Sequence, residues 1–305
     1  AVNFIFLLEN EDQKGGLKDE LREGTWQALW AALPSIPIEP LDDSLVLACY
    51  QWAGQASALS FTRFVEVLDR DPLKSPLLNR VLIGYTASKE LWTNNDNNEA
   101  THIKNSLAPC LDALFPRIDN AEASWERSLD ESKDADQRLL VPDYSVATTV
   151  RDKTYTALML EAKIAKNNSH NQIWDDLTKL GHEMKLALDS ILLVLPVEEI
   201  VVQGIILKGE TLSVYHLRLI SEGVYIMRLH AQCGICSSST GLYPLARMLD
   251  VLTSVKDIAA NTIKRIRNAA IDAPDEPLVS PGEPLIPRTW LRPSFEKPSI
   301  VKVLI

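Results

Sequence analysis

The chain has 305 residues, 46% of them apolar, so it can bury a substantial core, and its net charge of -10 argues against a surface that grips phosphates all round. The deficit is local: residues 1–140 hold 13 Lys/Arg against 23 Asp/Glu, and residues 141–305 hold 18 against 18, which leaves the second part able to present a basic face. No run approaches the roughly 18 uninterrupted apolar residues of a membrane-spanning helix, so no membrane role is expected.

The opening AVNFIFLLENEDQK has no basic region ahead of its apolar segment and reads as a first strand or helix rather than a signal peptide. Without an initiator Met the chain reads as trimmed or a fragment. Residues 17–92 are mostly helical in pattern, with Leu17, Leu21, Trp26, Leu29 and Trp30 on one face and Leu45 to Trp52 as a second apolar segment. Pro34, Pro37 and Pro40 punctuate the gap. After an Asn-rich loop at 93–102, Ile103, Leu107, Leu111 and Leu114 recur at helical spacing, predicting a helix over 98–115 that ends at Pro116.

Residues 117–138 are polar without a clear period and read as a loop. Then LLVPDYSVATTV and TYTALMLEAK, rich in β-formers and separated by Arg151-Asp152-Lys153, have the pattern of a hairpin. A long helix follows from about Asn171 to Val194, with Trp174, Leu177, Leu180, Met184, Leu188 and Ile191 as its apolar stripe. Three strands come next, IVVQGIILK, TLSVYHLRL and VYIMRLHAQ, joined by turns at Gly209-Glu210 and Ser221-Glu222-Gly223. A helix then runs from 242–245 to about Ala269, with Lys256, Lys264, Arg265 and Arg267 towards its C-terminal end, suited either to the helix dipole or to phosphate contact. The last 35 residues contain seven prolines and read as an extended tail. The chain divides into a helical N-terminal region (1–92), a domain (93–270) and a proline-rich tail (271–305).

Glu161 and Lys163 end an otherwise apolar strand, two apart and so on one face. If Arg151-Asp152-Lys153 is a three-residue loop, Val150 opposes Thr154 and Asp143 opposes Glu161. Two carboxylates then stand roughly 4.5–5.5 Å apart at Cβ, which suits a shared divalent cation. An even-length loop would put Asp143 opposite Ala162, subject to any β-bulge.

Val141-Pro142-Asp143, followed 18 residues later by Glu161-Ala162-Lys163 on paired strands between two helices, resembles the PD-(D/E)XK nuclease superfamily, over roughly residues 95–235. The general style of the chain is similar to uncharacterised fungal members. The resemblance implies an α/β fold with a restriction-endonuclease-like core, a central mixed sheet flanked by helices, in the order helix, three strands, helix, strand. It implies that Asp143 and Glu161 bind Mg²⁺ or Mn²⁺, with the backbone carbonyl of Ala162 as a further oxygen ligand. Lys163 would orient or deprotonate the attacking water and offset charge in the transition state. The superfamily often adds an acidic residue from the first helix, and Glu99 matches, although Asp96 and Glu99 also have capping-box spacing. The expected activity is metal-dependent phosphodiester hydrolysis in nucleic acid, DNA rather than RNA. The alternative is a catalytically inactive module of the same fold that binds nucleic acid or a protein partner. Oligomeric state is not legible.

Other groupings carry less. Lys179 reads as a solvated helix lysine rather than a phosphate contact. His230, Cys233 and Cys236 form an H-x-x-C-x-x-C run without an evident fourth zinc ligand, and with Cys49 and Cys110 the cysteines read as thiols of an intracellular protein, nuclear or cytoplasmic. Nucleotide-binding glycine loops and a G-x-S-x-G elbow do not occur.

Overall fold

A computed structural model describes residues 5–8, 22–32, 36–70, 75–88, 99–126, 141–163, 170–194, 200–237, 240–272 and 291. Among them a seven-stranded mixed sheet forms the frame: β1 (Ile5–Leu8), β2 (Glu122–Trp125), β3 (Tyr144–Val150), β4 (Lys153–Lys163), β5 (Val202–Lys208), β6 (Thr211–Ser221) and β7 (Val224–Gly234). Their spatial order is β1-β7-β6-β5-β4-β3-β2. Two neighbouring pairs are parallel, β1 with β7 and β4 with β5, and the rest are antiparallel. The fold is thus α/β, and no helix among the described residues is long and apolar enough to cross a membrane.

Helices cover both faces. In chain order they are α1 (Glu23–Ala32), α2 (Asp43–Ala58), α3 (Phe61–Arg70), α4 (Pro76–Ser88), α5 (Glu99–Ser106), α6 (Ala108–Leu114), α7 (His170–Val194) and α8 (Leu245–Asp272). Helix α7 lies on one face, where Leu177, Leu180, Met184, Leu188 and Ile191 are buried against Met159, Val202 and Met227, as the apolar stripe predicts. The side chain of Trp174 lies outside the described residues. Helix α8 lies on the other face and shares one core with α2, α4 and α6. The N-terminal segment enters the same body: β1 pairs with β7, and Trp26 of α1 packs on Leu8 and Ile226. Leu17, Leu21 and the side chain of Leu29 fall outside the described residues.

Two expectations need correction. The helix over 98–115 is broken at Leu107 into α5 and α6 and finishes in a short 3-10 turn, Phe115–Arg117. Pro109 has no N–H to continue the hydrogen-bond ladder, and it sits in the first turn of α6, where none is needed. The four apolar positions used for the prediction, Ile103, Leu107, Leu111 and Leu114, are nonetheless all buried. Within the polar stretch read as a loop, Glu122–Trp125 form the edge strand β2. It is only four residues long and half-exposed throughout, so no alternation marks it. The last part of that stretch lies outside the described residues.

Near its turn the hairpin departs from the expected pairing of Val150 with Thr154; the expected partners return only at Val146, Ser145 and Tyr144. Val150 pairs with Lys153, so the loop is the two residues Arg151 and Asp152, with φ of 50° and 61°. Positive φ at both positions is the two-residue turn whose twist matches its strands. By itself this loop would bring Asp143 opposite Leu160. A bulge intervenes where Val146 pairs with Leu158 while Ala147 pairs with Thr156, and the extra residue, Ala157, moves the register by one. Tyr144 therefore pairs with Leu160, and the next position along sets Asp143 beside Glu161.

Candidate functional site

Glu161 lies on the α7 face of β4, near its end. It is 1% exposed, because the strand continues the core run Leu158 to Leu160 and α7 covers it. The helix can come this close because the residue beneath it on β5 is Gly204: a Cβ there would lie 2.8 Å from Leu180 Cδ2 and would also strike Met184. Asp143, just before β3, turns its carboxylate to the same strand end and accepts a hydrogen bond from the backbone N–H of Ala162 at 2.7 Å. Its own carbonyl accepts from the Glu126 N–H at 3.0 Å, which ties β2 to the site.

Lys163 stands 4.0 Å from Glu161, on the same face and 35% exposed. Lys179 is 40% exposed, as a solvated helix lysine is, but it is also paired. Its ammonium donates to Glu161 Oε1 at 2.7 Å and lies 3.6 Å from Glu183 Oε1. Glu183 is the residue that sequence reasoning missed. It follows Lys179 by four on α7, is fully buried, and neither of its carboxylate oxygens has a hydrogen-bond partner. A Lys-x-x-x-Glu pair on the inner face of the helix opposite a strand Glu was the available signal, but such pairs are common on solvated helices.

The electrostatics follow from burial. Burial pushes Glu183 up to about 8, with the Glu161 charge adding to the rise and Lys179 opposing it. Burial likewise raises Glu161, against the hydrogen bond and charge of Lys179, with Asp143 adding and Lys163 opposing. For Lys179, burial works against the charged form, but the hydrogen bond to Glu161 and the charge of Glu183 outweigh it, and the ammonium is held more firmly than usual. Three carboxylates and two ammoniums thus share one partly dry corner, where burial favours the protonated form of Glu183.

Of the sequence-predicted residues, Asp143, Glu161, Ala162 and Lys163 come together. Glu99 is the first residue of α5, and its side chain lies outside the described residues, as does Asp96. The helix itself is tied to this end of the sheet: one turn on, His102 Nε2 meets the carbonyl of Gly209 at 2.8 Å, and the N–H of Gly209 donates to the carbonyl of Lys163.

The H-x-x-C-x-x-C run is split. His230 stacks on His216, ring centroids 4.1 Å apart, and lies 3.4 Å from Ser254, while Cys233 and Cys236 turn into the core beside Cys49 and Cys110. Burial pushes Cys49 and Cys233 up to about 11 and Cys110 to about 12, so these thiols behave as small apolar side chains. A cleft of about 630 Å³ between residues 36–42, Arg218 and α8 contains none of the carboxylate cluster.

Among the described residues no group of three or more His, Cys, Asp or Glu is arranged to hold a metal ion. A cation at Asp143 and Glu161 would therefore rest on two carboxylates with backbone and water oxygens, a mixed set that Mg²⁺ accepts. In comparisons with known proteins, the chain matches no family model, no curated protein and no solved structure.

Proposed function

We propose that the chain is a metal-dependent nuclease with a restriction-endonuclease-like core, hydrolysing phosphodiester bonds in nucleic acid, DNA in preference to RNA. The observation that carries this reading is the meeting of Asp143 with the Glu161-Ala162-Lys163 strand end, through the 2.7 Å hydrogen bond to the Ala162 amide. The element order supports it: α5 and α6, then β2, β3 and β4, then α7, then β5 parallel to β4, is the helix, three strands, helix, strand sequence of that core.

The donor set fits Mg²⁺ or Mn²⁺, because it is made of hard oxygens, from the carboxylates of Asp143 and Glu161 and from the backbone. Asp143, Glu161 and the carbonyl of Ala162 would hold the ion, which when bound lowers the pKa of a coordinated water and offsets charge on the scissile phosphate. The protein's own groups do the remainder. Lys163, 35% exposed, offers an ammonium to the attacking water or to phosphate oxygens. Lys179 fixes the Glu161 carboxylate in place. Burial favours the protonated form of Glu183, which limits the negative charge of the corner.

A second reading, a catalytically inactive module of the same fold, is favoured by one observation: Lys179 already neutralises Glu161 Oε1 at 2.7 Å. Titration of Mn²⁺ into the wild type and Glu161→Gln, followed by heat and by paramagnetic broadening, separates the two. The nuclease reading expects one site that weakens at least tenfold in the Gln variant. Identical titrations, or none in either protein, favour the inactive module.

A further inference from the structure

The acidic balance of the chain leaves open how a polyanion is held, and the last row of the sheet on the α7 face bears on this. Lys163 of β4 is in register with Lys208 of β5, Lys208 with Thr211 of β6, and Thr211 with Gly234 of β7. In-register neighbours share a face, about 4.8 Å apart from strand to strand. The row inward from it runs Glu161, Ile206, Ser213 and Gln232, the last two joined by a 3.0 Å hydrogen bond from Gln232 Nε2 to Ser213 Oγ. Two lysines, a hydroxyl and a glycine therefore form a shelf that starts at the carboxylate cluster and leads away from it.

Within that shelf Lys208 is anomalous. Its ammonium is buried, with no hydrogen-bond partner, although the residue as a whole is only partly buried. A desolvated cation with no acceptor is unfavourable, and placing it beside a second lysine adds like-charge repulsion. Of the carboxylates placed on this face, Glu161 is engaged by Lys179 and Lys163, and Glu183 faces Lys179 at 3.6 Å. An anion between the two ammoniums relieves both penalties.

We propose that Lys163 and Lys208 form a phosphate-binding position, and that the row from Lys208 to Gly234 carries the sugar-phosphate backbone of a polynucleotide next to the carboxylate cluster. Thr211 and Gly234 are both exposed and add no negative charge, so the path is open at its far end. Rotation of the four-carbon stem of Lys208 brings its ammonium to this surface. The proposal deepens the nuclease reading and rests on it for the orientation of the strand.

The test is fluorescence anisotropy of labelled single- and double-stranded oligonucleotides in Ca²⁺ across a salt series. It compares wild type, Lys208→Met, Lys208→Arg and Arg63→Met, the last an exposed arginine on α3 paired with Glu66. Lys208→Met should weaken binding roughly tenfold and lower the salt slope by about one, whatever the sequence. Lys208→Arg and Arg63→Met should bind as wild type. Lys208→Met should also melt higher than wild type, since it removes an unpaired buried charge; a purely structural lysine would melt lower. Equal affinity and slope for wild type and Lys208→Met would overturn the proposal. Inorganic phosphate that raises the melting temperature of the wild type but not of Lys208→Met, with no oligonucleotide bound, would overturn the polynucleotide assignment. Binding that depends on Lys208 with no cleavage in Mg²⁺ would uphold the phosphate position and reject the catalytic reading; cleavage and binding indifferent to Lys208 would do the reverse.

Discussion

The carboxylate of Asp143 accepts the backbone N–H of Ala162 at 2.7 Å, joining the residue that opens β3 to the residue between Glu161 and Lys163. One bond thereby couples strand pairing to the site, because the acceptor is also the charge that helps to raise Glu161 and Glu183. Substitution separates the two roles. Asp143→Asn keeps a side-chain oxygen for the amide and should hold most of its stability, whereas Asp143→Ala should lose about 1–3 kcal/mol in urea denaturation. Equal losses in the two variants would show that the bond contributes little.

Glu183 predicts a pH dependence. Its folded value of about 8 lies above the ordinary 4.5, so the folded state holds this proton more tightly than the unfolded chain. The stability this contributes is complete below about pH 4.5 and is lost as pH rises through 8. Urea midpoints between pH 5 and 9 should therefore fall for the wild type relative to Glu183→Gln, which has no proton to lose. Parallel curves would place the proton elsewhere.

His216 and His230 act in the opposite sense. Burial lowers both, His230 to about 4, with nearby arginines and the facing histidine adding to the effect. The contribution of His230 is present above the ordinary 6.5 and is lost as pH falls through about 4. His230→Gln should soften the acid limb of the stability curve while leaving the alkaline limb that Glu183 governs unchanged.

At Gly204 the close approach of α7 leaves no room for a methyl group. Gly204→Ala should destabilise by about 1–3 kcal/mol, as overpacked cores do. The shift of α7 should also loosen Lys179 from Glu161, observable as a change in the Glu161 carboxyl signal by NMR. A neutral substitution with an unmoved signal would mean that Met184 and Leu180 rearrange freely.

The Arg151-Asp152 turn holds two non-glycine residues at positive φ. Asp152→Gly should raise stability by up to about 1 kcal/mol in thermal denaturation, since glycine reaches this conformation without steric penalty. A loss would imply that the Asp152 side chain stabilises the turn.

Periodicity exposed most of the frame: the stripe of α7, the strand runs of β4 to β7 and the burial of Ile103, Leu107, Leu111 and Leu114 all follow from apolar spacing. Other features depend on what spacing does not encode. A four-residue edge strand such as β2 has too few buried positions to alternate. The Ala157 bulge leaves no mark in a continuous apolar run, so the three-residue loop misplaces the pairs beside the turn while the register at Tyr144–Leu160 agrees with it. Glu183 and Lys208 were hidden for another cause. A buried charge is recognisable only once the elements that cover it are in place, and both residues sit in segments whose patterns are satisfied by helix and strand alone.

The central claim is tested most directly by incubating wild type, Glu161→Gln and Lys163→Met, purified side by side, with supercoiled plasmid and single-stranded DNA in Mg²⁺, Mn²⁺ or EDTA. The account predicts cleavage by the wild type in either metal, none in EDTA, and a loss of at least a hundredfold in each variant. Cleavage equal in all three proteins, or absent from the wild type in both metals, would contradict it.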